Sequence, residues 1–487
     1  MKVISEMVNL VTRRYADKIA VICNREYLTY HYLGCMIDKF NRLLLEMGLD
    51  YQDRVAIFLP NSPLFIIAFF ALAKIGAITV PLNIDYKEEE LKNYLIAFRI
   101  KYIILNKQKE DNYKKVIKDM FVKPIIVSEE NSTGKVSEGL HNKINIKVDP
   151  EDEVLYQFSS GSTGKPKIVA RTHINLLNEA KSLSHSIGVS TRDKILCPVP
   201  LFHAYGLSAI MMVSIYSGAT LVITDNLSPH NLLNILEKEK ITLFFGVPYI
   251  FSMLLNITLR RKIKLPFLKY CFSAGISLPL FIAKKFYSQF GIFPRSFYGT
   301  TETGCISINL NKHVEDILDS VGPPIKGTEI RIILENGKPA KVGQIGEIVV
   351  KSLSCGRNYY INNKAKSLLI GGYFYTGDLG KKDEKGNLYI VGRKTFFINV
   401  AGVKVDPKEV ERVLKKYPGV KEVVVLGFPD KLRGELVKAI IVSDGSRLNK
   451  KLLLKFCRER LAAFKVPSDI EFRDRLPMSP LGKILKA

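Results

Sequence analysis

At 487 residues the chain is too long for one core, so two or three domains are expected. A make-up of 47% hydrophobic and 24% charged residues excludes a disordered chain. The formal net charge of +25 would admit nucleic acid, an anionic membrane surface or a polyanionic ligand. However, no arginine-rich block or nucleic-acid reader motif is present, and the lysines are spread along the chain, as on a solvated surface.

The first residues, Met1 to Glu6, lack the apolar core of a secretory leader. Amphipathic spacing predicts a helix over 33–47 and a strand over Val55–Leu59. Leu64 to Ala73 is apolar throughout, too short for a bilayer and suited to a buried helix, with a strand at 77–81. Further strands are expected at 102–105, 124–127, 220–223 and 243–246, with a helix at 232–240. Such alternation argues for an α/β fold with largely parallel sheets. Seven cysteines at 23, 35, 197, 271, 305, 355 and 457 form no Cys-x-x-Cys pair. Reduced thiols, a cytoplasmic location and neither disulfide framework nor structural zinc follow as expectations.

The stretch from Tyr156 to Lys167, YQFSSGSTGKPK, carries the most chemistry. Ser159, Ser160, Ser162 and Thr163 supply hydroxyls, and Gly161 and Gly164 let the backbone N–H groups approach an anion. Lys165 and Lys167 add positive charge. These are the parts of a polyphosphate cradle, yet the Walker spacing is absent, and Pro166 follows Lys165 where that motif has Ser or Thr.

From about residue 320 turn signals become dense, with strands expected at 329–333 and 346–350, so a β-rich subdomain is placed at about 320–392. A boundary at 393 separates a core of 1–392 from a C-terminal module of 393–487. That module carries 22 Lys and Arg against 11 Asp and Glu. Its helices are expected at 408–416 and 450–460, and its strands at 422–426 and 438–442.

Further motifs lie downstream in order: Phe202-His203-Ala204-Tyr205-Gly206, Tyr298-Gly299-Thr300-Thr301-Glu302, Tyr375-Thr376-Gly377-Asp378, Gly392-Arg393 and Pro477-Met478-Ser479-Pro480-Leu481-Gly482-Lys483. Together with the hydroxyl-rich loop, this set resembles the adenylate-forming superfamily of acyl-CoA synthetases, coumarate-CoA ligases, luciferase and peptide-synthetase adenylation domains. The likeness runs from about Tyr27 to Lys483. It implies a large core of stacked α/β sheets with a β-rich subdomain, followed by a small mobile α+β domain.

It also implies chemistry. A carboxylate attacks the α-phosphate of ATP, giving an acyl-adenylate and pyrophosphate, and a thiol then displaces AMP. Ser160, Thr163 and Lys167 are implied to hold the β- and γ-phosphates, Thr301 the α-phosphate and Glu302 a Mg²⁺. Asp378 and Arg393 are implied for the ribose, and Lys483 is implied to bridge the substrate carboxylate and the α-phosphate. Ala274, Gly275, Tyr298, Gly299 and Thr300 complete the nucleotide side. Tyr205, Phe245, Gly246, Ser273, Gly304 and Cys305, with Ala274, Gly275, Gly299 and Thr300, are implied to line the acyl pocket. His203 stands where amino-acid-activating relatives carry an aspartate, so the acid expected is not an α-amino acid: a fatty acid first, an aryl acid next.

The thiol acceptor is expected to be CoA, or alternatively the phosphopantetheine arm of an acidic acyl carrier protein. A non-catalytic nucleotide-binding protein is the reading from another class. Two departures from the family pattern, Thr395 at the hinge and Asn399 in place of a lysine, leave adenylation better supported than thioester formation. Either a monomer or a homodimer is compatible with the sequence.

Overall fold

The structure, a computed structural model, describes residues 1–128, 146–159, 167–257, 263–311, 313, 319–361, 364–393, 398–430, 432–474 and 476. Two compact units emerge. One contains the described residues of 1–84, 95–159 and 167–393, the other those of 85–94 and 398–476.

Two eight-stranded sheets dominate the first unit. The elements that carry the site are β1 (Glu153–Ser159), β2 (Lys167–Thr172), α1 (His173–Ile187), β3 (Leu243–Gly246), β4 (Tyr270–Ser273), β5 (Pro294–Thr300), β6 (Gly304–Ile308), β7 (Asn358–Ile361), β8 (Phe374–Lys382) and β9 (Leu388–Arg393). One sheet runs β6–β5–β4–β3 and continues through strands 194–197, 220–223, 19–23 and 26–29. It is parallel through its centre and ends in an antiparallel hairpin at each edge. The second sheet begins with strand 364–367, then β7, β2 and β1, and continues through 78–81, 54–58, 102–106 and 123–127.

The helix Pro63–Ile75 shows how such layers are built. Its apolar residues are buried from Phe65 to Ala73. The Ser62 hydroxyl accepts the Phe65 N–H, and Pro63 occupies the first turn, where no N–H is needed. Such a cap contributes about 1 kcal/mol; burial supplies the rest.

Strands 328–333, 346–352, β8 and β9 form a separate antiparallel sheet. The segment expected as one β-rich subdomain is therefore divided, because β7 and strand 364–367 extend the second large sheet instead. In the second unit, strands 398–400, 403–405, 420–430, 434–443 and 469–472 form one sheet with helices Pro407–Lys415 and Lys450–Arg460. Residues 85–94 group with it because the Lys465 ammonium, itself buried, sits 2.8 Å from both Glu90 and Glu409. Linear sequence gives no hint of that grouping. Among the described residues no helix is long and apolar enough to cross a membrane, and the seven cysteines stand outside any disulfide.

Candidate active site

Strand β5 and the turn after it organise the polar half of the site. Tyr298, on β5, donates its phenolic hydrogen to Asp378 Oδ2 at 2.6 Å. Burial, reinforced by that carboxylate, pushes the Tyr298 phenol well above its ordinary pKa, so it stays a donor. Asp378 and Arg393 face each other in register across β8 and β9, with Arg393 Nε 2.9 Å from Asp378 Oδ1. The Asp378 N–H is held by the Thr376 hydroxyl, which itself donates to the Ile348 carbonyl. The carboxylate is thus held by two side chains, and its backbone by a third.

Just beyond Tyr298, β5 and β6 are joined by a tight turn, with Thr300 opposite Gly304. The Thr300 and Thr303 hydroxyls lie 3.0 Å apart, and each accepts the other residue's N–H. Gly304 has φ +67°, and a Cβ there would collide with the Glu179 carboxylate. Glu302 is nearly buried; its Oε1 accepts the Tyr359 hydroxyl at 2.9 Å, and its carbonyl accepts the Gly356 N–H at 2.8 Å. The ammonium of Lys167 lies 5.1 Å from the centre of the same Tyr359 ring. Ser159 and Lys167 are directly opposed across the β1–β2 ladder.

These contacts form two groups that meet in sequence at β5 and the turn after it: Lys167, Tyr359 and Glu302 in one, and Tyr298, Asp378 and Arg393 in the other. Ser160, Gly161, Ser162, Thr163, Gly164, Thr395 and Lys483 lie outside the described residues. Asn399 is described; its N–H donates to Glu435 Oε2 at 2.7 Å.

The apolar half rests on the parallel strands. Phe245 on β3, Phe272 on β4 and Phe297 on β5 are buried and form a wall with Tyr205. Ring centres are 5.0 Å apart for Phe245 and Phe272, 5.3 Å for Tyr205 and Phe297, and 6.3 Å for Tyr205 and Phe245. Tyr205 opens a π-helical segment, Tyr205–Met211, and its hydroxyl donates to the Gly246 carbonyl at 3.3 Å. Ser273 ends β4 beside Gly246, buried, with its hydroxyl lacking a hydrogen-bond partner among the described residues. The Ala274 N–H donates to the Gly246 carbonyl, and Gly275 has φ +91°.

His203 is half-buried, 6.0 Å from the Phe202 ring between centres. Gln157, on β1, donates to the Phe202 carbonyl and so ties this segment to the hairpin of the hydroxyl-rich loop. Two expected lining residues turn inward. The Thr300 hydroxyl is spent inside the turn, and Cys305 is buried with its thiol toward the Ser307 carbonyl. A crevice of about 540 Å³ lies elsewhere, bordered by Asn175, Thr328, Lys351, Leu353 and Arg357; no predicted site residue lines it.

Comparison with known proteins fits the geometry. Residues 9–360 match the family described as AMP-binding enzyme, and residues 409–483 match the AMP-binding enzyme C-terminal domain. The chain belongs to the AMP-binding, adenylate-forming enzymes. It is 32% identical to a long-chain-fatty-acid–CoA ligase of Bacillus subtilis, covering 97% of this chain and 91% of that protein. A feruloyl-CoA synthase of an Amycolatopsis species is 30% identical over 94% of this chain and 92% of its own length. Relatives of this kind make the chain an AMP-forming enzyme of the acyl-CoA synthetase class. Among solved structures, an o-succinylbenzoate CoA synthetase from Bacillus subtilis with a bound product analogue superposes with a TM-score of 0.88 at 27% identity, covering 99% of this chain and 97% of that one. An amide bond synthetase from Marinactinospora thermotolerans, at 24% identity, has the same fold with a TM-score of 0.89 over 99% and 98% of the two chains.

Around this candidate site, motif reading passed over Tyr359, Gln157, Phe297 and the buried pair Arg171–Glu179. Each lies on a regular element in which nothing but three-dimensional pairing marks it out. The one available signal was the Tyr359-Tyr360 doublet in a short strand, which reads equally well as core.

Proposed function

We propose that the protein transfers the AMP part of ATP to a non-amino carboxylic acid, releasing pyrophosphate, and then passes the acyl group to the thiol of CoA, releasing AMP. The observation that carries this reading is the sharing of β5: Tyr298 anchors Asp378, and Thr301 and Glu302 follow three and four residues later. A nucleotide whose ribose hydroxyls bind Asp378 would present its α-phosphate, not its γ-phosphate, to Thr301. The substrate carboxylate would then form the new P–O bond as the bond to pyrophosphate breaks.

Arg393 and Tyr298 would orient Asp378, which retains lone pairs for two ribose hydroxyls. Glu302 would hold Mg²⁺: with one oxygen engaged by Tyr359, the carboxylate keeps acceptor capacity for a hard cation that otherwise binds water and phosphate oxygens. When bound, that ion neutralises phosphate charge. Ser160, Thr163 and Lys167 would hold the leaving pyrophosphate, and Lys483 would bridge carboxylate and α-phosphate as a point charge. His203 offers no fixed anion to an α-ammonium group. The aromatic wall suits an apolar acid, with an aliphatic acyl chain first and an aryl acid second, in keeping with the names of the two relatives above. The cytoplasm is the expected compartment for seven cysteines outside any disulfide.

Acid-dependent exchange of labelled pyrophosphate into ATP, run across aliphatic, aryl and amino acids, tests the first step. Exchange with amino acids alone would overturn the substrate class, and exchange with no acid would return the chain to a nucleotide-binding role. Replacing Lys483 by Ala should lower exchange by about three orders of magnitude, and intact exchange would remove it from the mechanism. Mass spectrometry after addition of CoA tests the second step. Acyl-AMP without acyl-CoA would move the acceptor to a carrier-protein phosphopantetheine arm.

A further inference from the structure

We propose that the buried ion pair between Arg171 and Glu179 positions the Thr301–Glu302 turn for adenylation, fixing it to the strand that leaves the hydroxyl-rich loop. The proposal rests on the reading of Thr301 and Glu302 given above. Arg171 lies on β2, four residues after Lys167, and Glu179 lies on α1. Their side chains are 0% and 1% exposed, with Arg171 Nη2 2.9 Å from Glu179 Oε2. Removing both charges from water is expensive, and such pairs often add nothing to stability over apolar residues of similar volume. The Arg171 Nε, moreover, has no hydrogen-bond partner among the described residues.

What the pair does reach is the turn. Arg171 Nη1 lies 3.5 Å from the Thr301 carbonyl, the outer limit of a hydrogen bond, and Glu179 Oε1 accepts the Cys305 N–H at 3.0 Å. The two halves of one ion pair therefore hold the two ends of the segment that bears Glu302. Between those ends, Gly304 lacks a Cβ where the Glu179 carboxylate sits. Gly356, which caps the Glu302 carbonyl, could carry no Cβ without striking the Ala170 carbonyl, one residue before Arg171. Glu179 is itself set by the start of α1, where Thr172 and Asn175 cap each other reciprocally and Asn175 reaches the Leu353 carbonyl. The corner from β2 into α1 thus forms a template against which the turn is cast. Arg171 and Glu179 are positioning residues, acting on the reaction through Thr301 and Glu302.

The test uses the full-length enzyme and the double variant Arg171→Met/Glu179→Leu, which removes both charges with little change in volume. Thermal melting should stay within about 2 °C of wild type, a small stability change for a chain of this size. The kcat of acid-dependent ATP–pyrophosphate exchange should fall about 10- to 100-fold, the scale of an ångström-level misplacement. The KM for the acid should stay within about threefold, and the Mg²⁺ concentration for half-maximal rate should rise several-fold, a split that a purely structural role would not produce. Arg171→Lys keeps the charge but loses the planar fork that spans Glu179 and Thr301, and its kcat should fall as well. A folded double variant with wild-type kcat and Mg²⁺ dependence overturns the proposal. If the double variant does not fold, wild-type kcat in Arg171→Lys overturns it instead. Wild-type protein with no acid-dependent exchange would refute the adenylating reading itself, a result distinct from either.

Discussion

The two halves of the proposed site are built on opposite principles. On the nucleotide side each group is held by named polar partners: Asp378 by Tyr298, Arg393 and Thr376, and Glu302 by Tyr359 and Gly356. On the acyl side Tyr205, Phe245, Phe272 and Phe297 are held mainly by packing against one another. Polar preorganisation fixes angles and charges, so one lost atom should be felt strongly in turnover. Apolar packing fixes volume, so a lost ring should be felt in stability and in the choice of acid.

The strongest challenge to this contrast is Glu302→Gln. It keeps the shape and a hydrogen bond to Tyr359 but removes the anion, and exchange should drop about 100- to 1000-fold with melting unchanged, read by radiolabelled exchange and calorimetry. Asp378→Asn comes next. Weakened charge-assisted bonds should raise the KM for ATP about 10- to 100-fold while the KM for the acid holds, as steady-state kinetics would reveal. Phe245→Ala should act the other way round. It should cost about 3–5 kcal/mol in urea unfolding and shift the ratio of kcat/KM between long and short acids by about tenfold, with the KM for ATP unmoved. An effect confined to ATP would erase the distinction between the halves.

Tyr359→Phe should produce a smaller change, a several-fold higher Mg²⁺ requirement at unchanged acid preference. Last is an effect on the shared scaffold. Burial depresses the His173 pKa from 6.5 to about 4. The unfolded chain therefore binds the proton more readily, and stability is complete above pH 6.5 and lost as pH falls toward 4, by at most about 3 kcal/mol. Urea titrations at pH 5 and 7 should differ accordingly, and His173→Gln should flatten that difference.

The same contrast governs what could be read from sequence. Tyr298, Glu302, Asp378 and Arg393 stood out only within an ordered set of motifs that resembles the adenylate-forming superfamily; taken singly, a glutamate or a Thr-Gly-Asp turn reads as ordinary surface. The strands at 220–223 and 243–246 and the helix at 450–460 were legible for a different reason, since periodicity and turn residues define them locally. Phe272 and Phe297 could not be separated from ordinary core, because a phenylalanine in a buried parallel strand has the same pattern whether it lines a pocket or fills one. Arg171 and Glu179 stayed hidden for another reason: their partners at Thr301 and Cys305 are more than 120 residues away. Division of the β-rich segment between two sheets likewise depends on pairing, which sequence spacing does not encode.

The parallel register around β4 has a consequence for how this chain could change over time. Phe245 on β3 and Phe272 on β4 are direct ladder partners, and Phe297 sits on the adjacent strand two residues beyond Arg295, the partner of Phe272. Each ring hangs from a backbone whose hydrogen bonds do not involve it. Shortening or exchanging one ring would therefore reshape the aromatic wall while leaving the ladder, and with it Tyr298 at the end of β5, in place. The proposed choice of acid could thus change by single substitutions that leave the proposed nucleotide contacts untouched.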